Sequence, residues 1–216
     1  MHSQEDRALR QLWELDPPTV RGPKARWTLK QVAGAAVALA DESGLETLSL
    51  SRVADRLNVT TTALYRYVDS RATLVDVMVD AAIGDPPVLG EDSWQDDCRV
   101  WVDALSTTYA EHPWLSDVRP TAMPCQPRAY AWIDALVAAV EERVEVDPLR
   151  LALLLDSLVR TYAALDRGLT GASPAWLAGA VAERYPRLAA ALDQDVSDAD
   201  QELRFAVDVV LRGLNS

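Results

Sequence analysis

The 216-residue sequence predicts an all-α fold. Apolar residues recur every three or four positions along each long segment, which places them on one face of an α-helix. No segment alternates between apolar and polar residues as a half-buried β-strand would. Proline, glycine and asparagine stand between the periodic segments, where helices commonly end. We therefore expect about nine or ten helices.

The first long helix is predicted over residues 29–41, because the apolar residues of this segment form one stripe. Gly44 follows it as a C-terminal stop. A further helix is predicted to begin after Ser70, which is a suitable N-cap, and to bury an apolar face of its own.

Two short helices are predicted between these longer ones, over residues 49–57 and 60–68. A serine can cap the first, and either Thr60 or Thr61 can cap the second. Asn58 lies in the turn between them, where the backbone needs a residue that tolerates the left-handed region. A helix, a tight turn and a second helix are therefore expected here.

Residues 83–93 interrupt the helical pattern, because Pro86, Pro87 and Gly90 do not allow a continuous helix. The interruption separates a first domain (27–82) from a second domain (83–216). Residues 1–26 form an N-terminal extension before the first long helix. In the second domain, the predicted helices cover residues 94–111, 128–146, 148–169, 174–192 and 198–214.

The charge is unevenly distributed along the chain, which carries a formal net charge of −12. Residues 1–71 contain ten basic and nine acidic residues, whereas the remaining residues hold the acidic excess. Between Val20 and Arg71 there are eight basic and five acidic residues. A partner with negative charge is therefore expected at the N-terminal part and not at the acidic remainder.

Several classes of protein are not indicated. The two cysteines, Cys98 and Cys125, lie far apart and give neither a disulfide framework nor a zinc motif. No apolar run is long enough to cross a bilayer, and the first residues lack the pattern of a secretory signal. These features together favour a cytoplasmic protein. No catalytic motif is present, so we expect a protein that is not an enzyme and that uses neither a metal nor a cofactor.

Residues 48–74 carry the functional signal, because helix–turn–helix segments place their second helix in the DNA major groove. Threonine hydroxyl and methyl groups at the start of that helix suit base edges and phosphates, and tyrosine and arginine suit phosphate oxygens. The expected base contacts come from Thr61, Thr62 and Ala63, with Arg66 as a further candidate. The other predicted DNA-contacting residues are Ser51, Arg52, Thr60, Tyr65, Tyr67 and Arg71.

The same stretch resembles the DNA-binding domain of the TetR family of transcriptional regulators. The resemblance rests on the capping Ser49, the turn 58–60, the motif Leu-Tyr-Arg-Tyr-Val at 64–68 and the helix start at Ser70-Arg71. It is strong over residues 28–82 and weaker at 112–120 and 185–214. It implies a homodimer that binds a palindromic double-stranded DNA operator and releases it when a small molecule binds.

Three further groups of residues follow from this interpretation. The basic residues of the N-terminal extension could contact DNA as an arm, or be a solvated leader: Arg21, Lys24 and Arg26. Aromatic residues of the second domain, with one methionine, are candidates for an effector pocket that favours an aromatic ligand, although core packing is the simpler interpretation of each one taken singly: Trp101, Tyr109, Trp114, Met123, Trp132 and Tyr162. Two helices that are apolar on more than one side suggest a dimer interface at Leu155, Val159, Val207, Val210 and Leu214.

The sequence thus predicts a ligand-responsive DNA-binding regulator, most simply a repressor. Two alternatives remain, a helical protein-interaction adaptor and an all-α enzyme. His112 is one of two histidines and is interpreted as a partner for a helix C-terminus or as a pocket donor, not as a catalytic base.

Overall fold

The computed structural model describes residues 7–15, 27–90, 93–119, 123–168, 173–192 and 198–214. All regular elements in these ranges are helices, which confirms the predicted all-α fold. Two short 3₁₀ helices cover Leu45–Thr47 and Pro113–Asp117. The α-helices are α1 (Arg7–Leu12), α2 (Leu29–Ser43), α3 (Leu50–Arg56), α4 (Thr61–Leu64), α5 (Arg71–Ile83), α6 (Trp94–Glu111), α7 (Pro127–Val140), α8 (Pro148–Gly168), α9 (Leu177–Arg184), α10 (Pro186–Leu192) and α11 (Ala199–Gly213).

Side-chain caps fix the starts of the N-terminal helices. Thr28 and Gln31 form a reciprocal capping box at the start of α2, while Ser49 and Ser70 accept from backbone N–H groups of α3 and α5. Gly44 ends α2 with a φ of 80°, a conformation that a residue with a Cβ adopts only under strain. The caps predicted at Ser49 and Ser70 and the stop predicted at Gly44 are thus confirmed.

The body of the second domain is built from α6, α7, α8 and α11, which pack on one another. Their buried residues join those of the first domain in one continuous hydrophobic cluster. Leu136, Leu155 and Leu211 are fully buried and come from three different helices of the body. The chain therefore has a core that connects the two domains.

Polar contacts at the junction reinforce this connection. Asp80 of α5 is 1% exposed and accepts from both the backbone N–H and the guanidinium of Arg128, each at 2.9 Å. Beside it, Gln126 donates to Asp76 at 2.7 Å, and burial raises the pKa of that carboxyl group. The N-terminal end of α7 is therefore fastened to α5, the last helix of the first domain.

Two helices of the second domain differ from the prediction. The single helix expected over residues 174–192 is two helices, because Pro186 lacks the N–H that would continue α9 and instead begins α10. The helix expected to reach residue 146 ends at Val140, and Glu142 then takes a φ of 63°. No residue of α9 or α10 is buried.

The N-terminal extension contains one helix that the sequence pattern did not predict. α1 packs against α5 and buries Ala8. Trp13 follows, donates to the carbonyl of Cys125 at 2.8 Å and lies 5.6 Å from the ring of Tyr130. The described part of the extension is therefore attached to both α5 and the body.

Candidate nucleic-acid interface and ligand cleft

The turn between α3 and α4 has the geometry of a tight helix-turn-helix connection. Asn58 has a φ of 52°, as predicted from its place in the sequence. The backbone N–H groups of Asn58 and Val59 donate to the carbonyls of Asp55 and Ala54, both at 3.0 Å. Asparagine is the residue after glycine that best tolerates this conformation, so the turn closes without glycine.

The recognition segment, residues 60–68, begins at Thr60, whose hydroxyl accepts from the N–H of Ala63 at 3.2 Å. Regular α-helix covers only Thr61–Leu64. The N–H of Tyr67 and the N–H of Val68 both donate to the carbonyl of Leu64, at 2.8 and 3.2 Å, so the helical turn tightens at its end. The predicted helix to residue 68 is thus a short α-helix followed by a tighter turn.

Burial separates the two sides of the recognition segment. Leu64 and Val68 are 0% and 1% exposed, and they anchor the segment in the core. The polar candidates for base and phosphate contact lie on the other side. Among these candidates Thr60, Thr62, Tyr65 and Arg66 are exposed, while Thr61, Ala63 and Tyr67 are half-buried.

The two tyrosines of the recognition segment have different surroundings. Tyr65 is 54% exposed. Tyr67 packs against the hydrophobic core, and its hydroxyl oxygen accepts from the backbone N–H of Trp27 at 3.2 Å. A tyrosine hydroxyl has one hydrogen to donate, and Tyr67 keeps that hydrogen for another acceptor.

The predicted phosphate-binding arginines also hold the backbone of the first domain. Arg52 donates through one guanidinium nitrogen to the carbonyl of Thr47 at 3.0 Å. Arg71 donates to the carbonyls of Leu45 and Leu48 at 2.8 and 3.1 Å, which ties the 3₁₀ turn to the start of α5. Each guanidinium has five N–H donors, so both arginines retain donors for phosphate.

Two other members of the predicted interface are placed as follows. The hydroxyl of Ser51 is exposed and lies 3.0 Å from that of Ser49, the cap of α3. The basic residues of the proposed arm, Arg21, Lys24 and Arg26, lie outside the described residues, and Trp27 is the first described residue after them.

A cleft of about 660 Å³ opens between α6, α8 and the start of α11. We call it the polar cleft. Tyr109 and Tyr162, both predicted for the effector pocket, belong to its walls. Its other lining residues are Asp103, Ser106, Thr107, Ala110, Pro113, Ala163, Asp198, Ala199, Asp200, Leu203 and Arg204.

Charged groups cross one end of the polar cleft. Arg204 lies 3.5 Å from a carboxylate oxygen of Asp103 on α6 and 3.2 Å from one of Asp200 on its own helix. At the inner wall, burial raises the pKa of Tyr109 to about 12, so its hydroxyl stays protonated at neutral pH. The guanidinium of Arg160 lies 5.9 Å from the centre of the Tyr109 ring. The cleft is therefore aromatic inside and ionic at one end.

Four residues predicted for the effector pocket lie outside the polar cleft. Trp101 and Trp132 pack edge to face in the core at 5.6 Å, and their indole N–H groups donate to the carbonyls of Trp132 and Gly84. Trp114 is 1% exposed and donates its indole N–H to Asp41. Met123 is 76% exposed. For the three tryptophans the simpler interpretation, core packing, fits the structure.

The residues predicted for a dimer interface are divided by the structure. Leu155, Val159 and Val207 are at most 2% exposed and lie in the core of the single chain, so a partner would not reach them. They are apolar because α8 and α11 pack on each other. Val210 and Leu214 instead line a second, apolar groove of about 430 Å³, together with Leu151 and Leu154.

Further apolar residues of both helices are exposed. Leu165 and Leu154 of α8 are 44% and 45% exposed, and Val209 and Phe205 of α11 are 53% and 66% exposed. We call these four residues and Val210 the apolar face. The pattern of α8 and α11 indicated that both helices are apolar on two sides, but it did not indicate which side meets the core.

One cluster between the domains was not predicted. In the last turn of α2, Asp41 Oδ1 accepts from the indole of Trp114 at 2.7 Å and lies 2.9 Å from Nδ1 of His112. His112 is therefore the partner of a carboxylate in the first domain. The sequence signal was the pair Asp41-Glu42 at a helix C-terminus, where acidic side chains face an unfavourable helix dipole.

None of the helices in the described part of the chain combines the length and apolar character that crossing a bilayer requires.

The sequence profile of the family described as "Bacterial regulatory proteins, tetR family" matches residues 34–78, which run from α2 to α5. The HTH-type transcriptional repressor DrrR1 of Streptomyces coeruleorubidus is 32% identical over 181 residues, which are 82% of this chain and 64% of that protein. The chain thus spans somewhat less than two thirds of this relative.

Solved structures share the fold. A possible TetR family transcriptional regulator from Streptomyces coelicolor A3(2) matches 87% of this chain and 98% of its own, with a TM-score of 0.72 and 24% identity. The TetR family protein ActR of Streptomyces coelicolor in complex with actinorhodin matches 88% of this chain and 96% of its own, with a TM-score of 0.75 and 20% identity. Residues 34–78 therefore belong to the TetR family of bacterial regulatory proteins, and the chain as a whole shares the fold of these solved regulators.

Proposed function

We propose that the protein is a transcriptional repressor that binds a palindromic DNA operator and is released from it by a small molecule. The observation that carries the proposal is the recognition segment, which is anchored by Leu64 and Val68 and presents its polar residues outward. The likeness to a repressor of Streptomyces coeruleorubidus supports the same function. The acidic excess of the chain lies after residue 71, so DNA phosphates are repelled by the second domain. This favours an orientation with the first domain on DNA.

Within the interface we assign sequence reading to Thr61, Thr62 and Ala63, with Arg66 at the exposed end of the segment. Thr61, Thr62 and Ala63 lie in α4, close to its N-terminus. The N-terminal residues of a recognition helix are the ones that contact base edges. Thr62 is the strongest candidate for a base contact because it is exposed. Its methyl group suits the methyl group of thymine, and its hydroxyl group suits an acceptor on a base or phosphate.

We assign positioning on the phosphates to residues around the recognition segment. Tyr65 is exposed enough to donate to a phosphate oxygen, and Tyr67 keeps its hydroxyl hydrogen. Thr60 and the N-terminus of α4 can add hydroxyl and backbone donors. The remaining members of this group are Ser51, Arg52 and Arg71.

The basic arm belongs to the same proposal. Trp27 is bonded to Tyr67 in the recognition segment, and Arg26 and Lys24 precede Trp27 by one and three residues. Since a residue spans at most about 3.6 Å, this contact keeps both cations within reach of DNA bound to the segment. Replacement of Arg21, Lys24 and Arg26 by glutamine should then weaken binding to all sequences and reduce its salt dependence.

For the effector we propose the polar cleft as the binding site. It has the volume of a small-molecule pocket, and Tyr109 and Tyr162 offer aromatic walls. ActR, a structural neighbour, has been solved with actinorhodin. An aromatic compound with polar substituents fits the two aromatic walls and the ionic end formed by Asp103 and Arg204.

A homodimer through the apolar face completes the proposal. Exposed leucine, phenylalanine and valine side chains on two packed helices indicate a surface that a second chain covers. The segment of α9 and α10 lies between α8 and α11 in the chain and has no buried residue. Short helices without a buried face are marginal in isolation, so a second chain is the natural support for this segment as well.

A selection of genomic DNA fragments, bound at about 0.15 M salt, tests the function directly. We expect enrichment of a palindromic sequence, with a changed base preference in each half-site for the variant Thr62→Ala. Absence of any enriched sequence would contradict the proposal and favour the adaptor or the enzyme. The genes beside the enriched sites would then narrow the class of effector.

A further inference from the structure

Two neighbouring carboxylates at the end of α2 bind different parts of the molecule. Glu42 forms a two-point ion pair with Arg56 of α3, with both N–O distances at 2.8 Å. Asp41 faces the second domain and accepts from Trp114 at 2.7 Å, with Nδ1 of His112 at 2.9 Å from the same oxygen. The end of α2 is therefore held between the helix-turn-helix and the body.

The position of these carboxylates favours contacts with donors and cations. Carbonyl groups at a helix C-terminus carry partial negative charge, which disfavours an acidic side chain there. The last turn of α2 contains no basic residue to offset Asp41 and Glu42. Both carboxylates are exposed, so water offsets part of this cost, and the contacts with Arg56 and Trp114 offset more of it and join the end of α2 to these neighbours.

The partners of Asp41 are continuous with the polar cleft. Tyr109 and Ala110 at the end of α6 line the cleft, and so does Pro113. Pro113 stands between His112 and Trp114 and begins the 3₁₀ helix. His112 and Trp114 are the chain neighbours of Pro113, so a ligand that displaces Pro113 shifts both partners of Asp41.

We propose that Asp41 is a positioning residue that couples occupancy of the polar cleft to the orientation of α2 and hence of the recognition segment. The inference rests on the proposed function of the cleft and adds the route by which the cleft acts. α2 packs on both α3 and α5, so a change in the angle of α2 changes the placement of the helix-turn-helix. Such coupling needs a ligand that favours one of two arrangements of this junction.

The coupling can be measured without knowing the ligand, by filling the cleft with a side chain. Ser106→Trp on α6 and Ala163→Trp on α8 place an indole in the cleft from opposite walls. Operator affinity is measured for each filled variant in the wild-type background and in the Asp41→Ala background. Thermal unfolding of every variant shows whether it is folded.

We expect each filling substitution to weaken operator binding about tenfold or more in the wild-type background, within the usual range of allosteric coupling. In the Asp41→Ala background the same substitution should change affinity less than about threefold. Trp114→Phe keeps the aromatic packing, removes the indole donor and should reduce the coupling in the same direction. Trp101→Phe is the matched control, because its indole donates within the body, and it should leave the coupling intact.

The outcomes separate the inference from the proposed function. If filling weakens DNA binding equally with and without Asp41, the cleft is coupled to DNA by another route and the inference is overturned. If filling leaves DNA binding unchanged in the wild-type background, the cleft is not the regulatory site, and both the inference and the assigned effector site fail. If Asp41→Ala does not fold, the same comparison is made in the Trp114→Phe background, where an undiminished effect of filling on DNA binding would overturn the inference.

Discussion

Backbone strain is concentrated in this protein at single residues whose identity determines a turn. Asn58 holds a φ of 52° at the centre of the helix-turn-helix, and Leu57 beside it is buried. An alanine there keeps the backbone conformation only with a steric penalty on its Cβ, whereas glycine adopts it freely.

We therefore expect Asn58→Ala to lower the free energy of unfolding by about 1 kcal/mol and Asn58→Gly to leave it close to that of the wild type. Urea denaturation of the three proteins provides the comparison. Equal destabilisation by alanine and glycine would show that the asparagine side chain, and not the backbone conformation, supports the turn.

The two thiols differ in reactivity for a physical reason. Cys98 is 0% exposed, and burial raises its pKa to about 12. Cys125 is exposed. Only a thiolate reacts readily, so at pH 8 one thiol per chain should react with a disulfide reagent in the native protein, and two in denaturant. The variant Cys125→Ser should show no rapid reaction, and rapid reaction of that variant would contradict the packing of α6.

At the scale of secondary-structure elements, the recognition segment combines an anchored side with an exposed side. Removal of one phosphate contact should weaken binding without changing which bases are preferred. Tyr65→Phe should thus lower affinity for all sequences by a similar factor of about 3–10, close to the net value of one hydrogen bond. Thr62→Ala should alter base preference instead. Quantitative binding to an operator and to its single-base variants distinguishes the two, and a changed preference in Tyr65→Phe would refute its phosphate role.

Most elements followed from local sequence signals. Helix caps at Ser49 and Ser70, the stop at Gly44 and the turn at Asn58 depend on a few neighbouring residues, and the structure confirms each. The division of α9 from α10 also had a local cause, Pro186, which lay inside an otherwise periodic segment.

The candidate sites were predicted less well, because they depend on contacts between distant residues. A buried tryptophan in the core and a tryptophan in a ligand pocket have the same helical spacing, and only the fold separated Trp101 from Tyr109. The Asp41 contacts join residues more than seventy positions apart, so the acidic pair at the end of α2 could not show which residues its partners would be. Likewise, the apolar pattern of α8 and α11 could not show that Leu155 meets the chain's own core.

At the scale of the whole molecule, the apolar face makes the proposed dimer testable without disturbing the core. Val209→Asp places a charge on a residue that is 53% exposed, so the single chain tolerates it while a dimer would have to bury it. We expect sedimentation at micromolar concentration to give a monomer, with operator affinity strongly reduced.

The matched control for that substitution is Val100→Asp on α6, a valine that is 43% exposed and outside the apolar face. It should leave both the mass in solution and the operator affinity unchanged. A Val209→Asp variant that sediments as a dimer would show that the second chain binds elsewhere.

The central claim is that two recognition segments, one from each chain, read one palindromic site. Hydroxyl-radical footprinting of the selected operator measures this most directly. We expect two protected half-sites related by a dyad, centred about 10 base pairs or a multiple of one helical turn apart, and weaker protection of both in Thr62→Ala. Protection of one unpaired half-site, or of no defined sequence, would contradict it.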